Sequence, residues 1–355
     1  MSNLYLDMHI IQTVPPSCLN RDDTGSPKTA MFGGSRRARV SSQSWKRAIR
    51  LMFKENLDMS LLGQRTLLLF DYIAAEIMSI NPSLSQDEAL ELSKSVLDKA
   101  GIKEKADGKV EALFFIGSQQ ARNLAQIAVD GVSDEVKKDI ISAIKDNQSI
   151  EVALFGRMVA SNPQYNCDAT AQVAHAISTH RVETEFDYFT AVDDLSPEDS
   201  TGAGMIGTIE YNASTLYRYA TVAVHGLHKS LSSDATATAA AVKEFARAFT
   251  MSMPSGKQNT FANLTPPDMM YAVLRADTPL NFAGAFESPI KTSDTGFVKP
   301  SIDALAAYAD EIYASFAQKP SKEYVVSRID TAFGESLPLT KMLDSLEVDI
   351  LDGLE

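Results

Sequence analysis

Three kinds of hydrophobic spacing divide the chain. Leu4 to Val14 (LYLDMHIIQTV) is a short, largely apolar run and predicts a strand. In Ser41 to Phe53, Trp45, Ala48, Ile49, Met52 and Phe53 recur at helical spacing and predict a buried stripe, with Ser41 or Ser42 as N-cap. Gln43, Lys46, Arg47, Arg50 and Lys54 fall on the other side of that helix. From about Leu61 to Asn147 the pattern is helical: QRTLLLFDYIAAEIMSI, SQDEALELSKSVLDKAG and DEVKKDIISAIKD, broken at Asn81-Pro82 and Gly101. This reads as an inserted helical subdomain. Residues 175–190 and 209–225 are β-like, separated by an acidic, turn-rich stretch from Asp193 to Gly202. Ala235 to Met251 predicts a helix, Met269 to Arg275 a strand, and Ile302 to Ala317 a last helix.

Without the insertion, the order is strand, helix, strand, strand, helix, strand. That is the α+β, ferredoxin-like order, which RNA-recognition domains also use. The order alone assigns no function, because many activities share it.

The length of 355 residues fits about two domains of roughly 150 residues. A hydrophobic fraction of 45% excludes a disordered chain. No apolar run approaches the roughly 20 residues of a membrane helix, and the start MSNLYLDMHI has no secretory pattern, so no membrane partner and a cytoplasmic location are expected. Two cysteines, Cys18 and Cys167, build no disulfide framework. The net charge of −13 argues against nucleic acid only if it is evenly spread. It is not. Lys28, Arg36, Arg37, Arg39, Lys46, Arg47, Arg50 and Lys54 form a stretch with no acidic residue, leaving 25 basic and 46 acidic residues elsewhere. Such segregation fits a local polyanion site or a solvated basic face, and the helix start with serine hydroxyls and cations one turn apart shifts the balance toward the site. The loop Met31 to Arg37 adds glycines that permit close approach but lacks the GK[ST] ending of a nucleotide-binding loop.

Other motifs carry less. Gly202-Ala203-Gly204-Met205-Ile206-Gly207 has the spacing of a dinucleotide fingerprint, but an acidic loop precedes it and a β-rich segment follows. It reads as a glycine loop. The five histidines form no zinc pattern, and His175 and His180 read as structural strand residues. No metal or other cofactor is expected. Asp193 and Asp194 are the one carboxylate pair that could hold a divalent cation for phosphodiester cleavage, with a solvated acidic loop as the alternative. Met158, Phe189 and Thr190 sit beside turns, where an apolar side chain either packs in a core or wedges between nucleobases.

Several segments together resemble one family: the repeated backbone subunit, CasC or Cse-type, of the type I-E CRISPR surveillance complex Cascade. They are PSCLNRDD (Pro16–Asp23), FGGSRRARVSSQSWKRAIR (Phe32–Arg50), QRT (Gln64–Thr66), GRM (Gly156–Met158), AHAISTH (Ala174–His180), DYFTAVDDL (Asp187–Leu195), YRYA (Tyr217–Ala220), GKQNTF (Gly256–Phe261) and PPDMM (Pro266–Met270). The resemblance implies a modified RNA-recognition palm (1–59 and 171–355), helical fingers (60–170) and a β-hairpin thumb (182–215). It implies a non-catalytic subunit, copies of which assemble helically along one CRISPR RNA and present it to target DNA in antiviral defence. The other partners would be the large and small subunits, the guide-end cap subunit and the guide-processing ribonuclease. Arg21, Lys28, Ser41, Gln43, Lys46 and Arg50 match positions that grip the guide backbone; Met158 matches a base-displacing wedge, and Phe189 and Thr190 the thumb tip. Lys257 matches a basic position near RNA, and Lys291 one near DNA. Ser35 stands where relatives carry lysine, against a duplex-DNA contact there. The rival expectation is a metal-dependent ribonuclease using a thumb-loop aspartate.

Overall fold

A computed structural model describes residues 3–191 and 205–354. At its centre lies β1 (Tyr5–Ser17), followed by the hairpin β2 (Thr29–Phe32) and β3 (Ser35–Val40) and the helix α1 (Ser42–Asn56). The insertion holds β4 (Gly63–Thr66), α2 (Leu69–Ile80), α3 (Gln86–Lys99), β5 (Phe114–Gly117), α4 (Ser118–Asp130), α5 (Lys137–Lys145) and α6 (Ile150–Phe155). The chain returns through β6 (Ala171–Val173), β7 (Ala176–Ser178), β8 (Glu185–Ala191), β9 (Met205–Ala223), α7 (Val224–Ser230), α8 (Ala235–Met251) and the short α9 (Gln258–Phe261). It ends with β10 (Met269–Arg275), α10 (Val298–Ser315), β11 (Lys322–Ser327) and α11 (Leu339–Leu354).

The main sheet is antiparallel, in the order β11-β10-β1-β9-β7-β3-β2. Its central part, β10-β1-β9-β7, is the ferredoxin-like order expected from the sequence, so the fold is α+β. Alternation along β1 divides the core in two. Leu6, Met8 and Ile10 face α1, α8 and α11, where Trp45, Ile49, Phe53, Phe245 and Leu346 are buried with them. Ile11 faces the other side, with Tyr217, Tyr219, Phe282 and α10 residues Ile302 and Leu305. The YRYA segment thus serves both faces. Tyr217 and Tyr219 point to the α10 side, while the buried Arg218 lies 3.8 Å over the Trp45 ring. The inserted elements close a separate core around Phe70, Ile73, Val96, Leu97, Leu124 and Ile140.

Two expectations change. Gln64–Thr66 is strand, not helix: Gly63–Thr66 pairs with the apolar run Phe114–Gly117, and the helix begins only at Leu69. The last helix is also not the one ending near Ala317. β11 extends the sheet beside β10, and α11 buries Met342, Leu343, Leu346 and Ile350. No helix among the described residues is long and apolar enough to cross a membrane.

Candidate nucleic-acid interface

The basic stretch folds into the β2–β3 hairpin and α1. Gly33 and Gly34, at φ +54° and +71°, turn the hairpin. A Cβ on Gly33 would fall 1.5 Å from the carbonyl oxygen of Glu287, so the hairpin tip lies directly on that backbone. Arg37 locks the contact. Its buried guanidinium donates to the carbonyls of Ser178 (2.9 Å), Thr179 (3.0 Å), Phe286 (2.8 Å) and Glu287 (3.3 Å). Arg37 is therefore internal scaffolding, although it sits in the middle of the charge run.

Four further cations of the stretch, with Arg21, Lys257 and Arg65 from outside it, gather in three places. At the hairpin, Lys28 and Arg39 lie close enough to His175 to hold its imidazole below the usual range, after burial, and Arg39 Nη1 is 3.1 Å from His175 Nδ1. Arg21 and Lys257 converge near Cys18. Burial raises that thiol, and the two charges oppose the rise. Lys257 is brought there because Gly256 passes against Leu19, leaving no room for a Cβ: one would sit 2.1 Å from Leu19 O. A cleft of about 560 Å³ opens here, between Asn20–Gly25, Ser44 and Arg47 of α1, and Met253–Gly256. The third group joins Lys46 and Arg50 of α1 to Arg65 of β4. Lys46 lies 5.9 Å from the centre of the Phe155 ring, and Arg50 lies 4.6 Å from that of Phe115.

Asn20 connects these groups. Its carbonyl accepts from Lys28 N–H (2.8 Å), and its side-chain oxygen accepts from Ser41 N–H (2.9 Å). Ser41 is buried and caps α1 by accepting from Ser44 N–H, so its hydroxyl is engaged in the fold, whereas Gln43 is exposed beside it. Beyond Arg65 a second groove, about 570 Å³, is lined by Phe115, Phe155, Met158 and Asp168. Met158 is 81% exposed, which excludes the core-packing alternative in this chain. Its neighbour Arg157 is buried and donates to the carbonyls of Tyr165 (2.8 Å), Phe115 (3.1 Å) and Ile144 (2.9 Å), fixing the loop that presents Met158.

β8 pairs with the first part of β9 as a projecting ribbon, and every residue of β8 is exposed. Phe189 opposes Gly207, and Thr190 is its exposed neighbour. Asp193, Asp194, Gly202 and Gly204 lie outside the described residues. Gly207 lies within β9, so strand surrounds the end of the apparent fingerprint where a dinucleotide site needs a helix. Lys291 is exposed and stands apart, just after Ile290, whose N–H donates to Thr179 O. His180 is a structural residue. It stacks 3.7 Å from Phe297 and its Nε2 accepts from Thr215 N–H. Among the described residues no group of three or more His, Cys, Asp or Glu side chains could hold a metal ion.

Residues 6–347 match the model of the family described as CT1975-like protein. The chain belongs to the CT1975-like family. Solved structures extend the comparison. This CT1975-like chain is 31% identical to a chain of a "CRISPR RNA-guided surveillance complex, pre-nicking", covering 98% of its own length and 100% of that chain, with a TM-score of 0.84. It is 29% identical to a chain of a "CRISPR RNA-guided surveillance complex", covering 97% and 99%, with a TM-score of 0.64. No curated protein matches it.

Sequence reasoning missed Glu151, which is fully buried with its Oε1 2.6 Å from Arg50 Nε. The signal was present: a lone acid inside the apolar run IEVALF needs a partner. It also missed Phe115, the ring against which both Arg50 and Arg65 lie.

Proposed function

We infer that this chain is a non-catalytic backbone subunit of a type I-E Cascade complex. Several copies assemble helically along one CRISPR RNA and hold it by its phosphates and sugars. The base edges stay free to pair with target DNA in cytoplasmic antiviral defence. The observation that carries this reading is the alignment of cationic groups along the hairpin and α1, within a chain of net charge −13. A site that grips any guide must bind backbone, and an acidic remainder discourages stray nucleic acid.

In this reading Arg21, Lys28, Gln43, Lys46 and Lys257 meet the guide backbone, with Ser41 contributing through the capped helix start and Arg50 through its ion-paired guanidinium. Met158 displaces a base, Phe189 and Thr190 press on the guide of a neighbouring copy, and Lys291 faces DNA. The elements of 60–170 are the fingers and the β8–β9 ribbon belongs to the thumb. The partners are the large, small and guide-end cap subunits and the processing ribonuclease.

Purification with these partners tests the reading. A defined short RNA is expected, with a particle mass set by the number of copies on it. Absence of such RNA overturns the reading. Lys28→Glu with Lys46→Glu is expected to abolish assembly on RNA, whereas unchanged assembly removes the assigned grip. Arg50 is less suitable for reversal, because an acid there would face buried Glu151.

A further inference from the structure

The groove beside Met158 is lined by Arg65 and Asp168, and Lys46 and Arg50 lie against its Phe155 and Phe115 rings. Lys46, Arg50 and Arg65 converge on Phe115 and Phe155. Glu151 uses Oε1 on Arg50 Nε and Oε2 on the N–H of Gly63, at 2.8 Å. Both of its oxygens are engaged, and Arg65 forms no direct ion pair among the described residues, although the Glu151 charge lies near enough to support its guanidinium. The excess is felt locally: burial first, and then Arg65, hold the Lys46 ammonium below the usual lysine range.

Arg65 is nevertheless exposed and lines the groove, with its guanidinium carbon 4.7 Å from the centre of the Phe115 ring. A guanidinium resting against a ring keeps less freedom than one in open solvent, so its donors are partly preorganised for an anion. Packing alone does not account for the site. Like charges gathered in a partly desolvated groove repel, and an anion entering the groove relieves that repulsion. The groove is open, and its lip is the exposed thioether of Met158.

We propose that Arg65 is a further guide-RNA backbone contact, a phosphate clamp braced against Phe115, and that Glu151 is the positioning residue that commits Arg50 and leaves Arg65 without a direct ion pair. The proposal rests on the scaffold reading and adds to it a residue and a mechanism of orientation.

The test is the affinity of the full chain for mixed-sequence single-stranded RNA, followed by anisotropy across a salt series. Arg65→Gln is expected to weaken binding several-fold for every sequence and to lower the log–log salt slope by about 0.7 per bound subunit. Arg65→Lys should keep the slope while losing part of the affinity, because it retains charge but not the planar stack. An unchanged slope in Arg65→Gln overturns the proposal, including when the variant merely melts earlier. Glu151→Gln adds one positive charge to the groove. Charge alone would tighten binding, whereas a positioning role predicts binding no tighter than wild type, so tighter binding overturns that role. If the wild-type chain binds no RNA, the scaffold reading itself fails, and that result is distinct from the others.

Discussion

Phe189 lies across the backbone of Gly207: a Cβ added to Gly207 would fall 2.2 Å from Phe189 Cζ. The two residues face each other in the β8–β9 ladder, and the missing side chain lets the ring cover the neighbouring strand. Gly207→Val is therefore expected to displace the ring without disturbing the buried sheet. Thermal unfolding should stay near wild type while assembly on guide RNA weakens. Phe189→Ala should weaken assembly by about 1–3 kcal/mol per subunit, the usual worth of one base–aromatic stack. Normal assembly in both variants would separate Phe189 from RNA.

Gly33 and Gly34 both adopt positive φ, but only Gly33 is also crowded by Glu287. Gly34→Ala should cost about 1–2 kcal/mol, the strain of the left-handed region. Gly33→Ala should cost more, because its Cβ would collide with a backbone oxygen that cannot swing aside. Denaturant melts of the two variants give the comparison, and equal losses would contradict the close approach.

Arg37 and Lys46 belong to one charge run but should fail differently. Arg37→Gln removes the donor shared by four carbonyls, of which Thr179 O keeps the N–H of Ile290, so it should destabilise the fold by about 3 kcal/mol or more and lower the melting temperature with no RNA present. Lys46→Gln should leave the melt near wild type and reduce RNA affinity. A reversed pattern would exchange their roles.

His9 sets a pH dependence of stability. Its ring stacks 4.4 Å from Phe282, its Nδ1 is 2.9 Å from Tyr217 Oη, and burial, followed by the charge of Arg275, lowers its pKa to about 3. Above pH 6.5 His9 is neutral in both folded and unfolded chains and contributes no slope. Between pH 6.5 and 3 only the unfolded chain takes up the proton, so stability falls on acidification by up to about 1.4 kcal/mol per pH unit. From pH 6.5 to 5 this amounts to about 1.6 kcal/mol, because the unfolded histidine is already half protonated at pH 6.5. His9→Gln should remove that part of the slope in urea melts at the two pH values. An unchanged slope would mean that His9 is protonated in the folded chain.

Much of the fold was legible because its core elements carry simple periodicities. Ala235–Met251 and Met269–Arg275 were bounded as they occur, and the stripe of α1 is buried as its spacing requires, with Met52 only half-buried. The β4–β5 pair was not legible, since Gly63–Thr66 becomes strand only through a partner about fifty residues away. The interface was partly legible. Its charge could be read by counting, but the fate of each charge could not. Arg37 and Arg50 are equivalent in a tally, yet one is enclosed by carbonyls and the other held by Glu151. Those partners lie a hundred or more residues away in sequence, so no local pattern points to them.

β9 runs without interruption from the buried sheet into the exposed ribbon, 19 residues that at about 3.3 Å each reach roughly 60 Å. The part beside β1 is anchored in the core, and the part beside β8 projects beyond it. In mechanical terms β9 is a cantilever. Whatever the ribbon touches is held at a distance counted in backbone steps from the sheet. Side chains alternate along such a beam, so one residue inserted between the anchored and free parts would turn over the whole ribbon face and present Tyr188 where Phe189 had been. Insertion of two residues would restore the face but lengthen the arm. Reach and facing are thus set by the same strand, one by its length and the other by its parity.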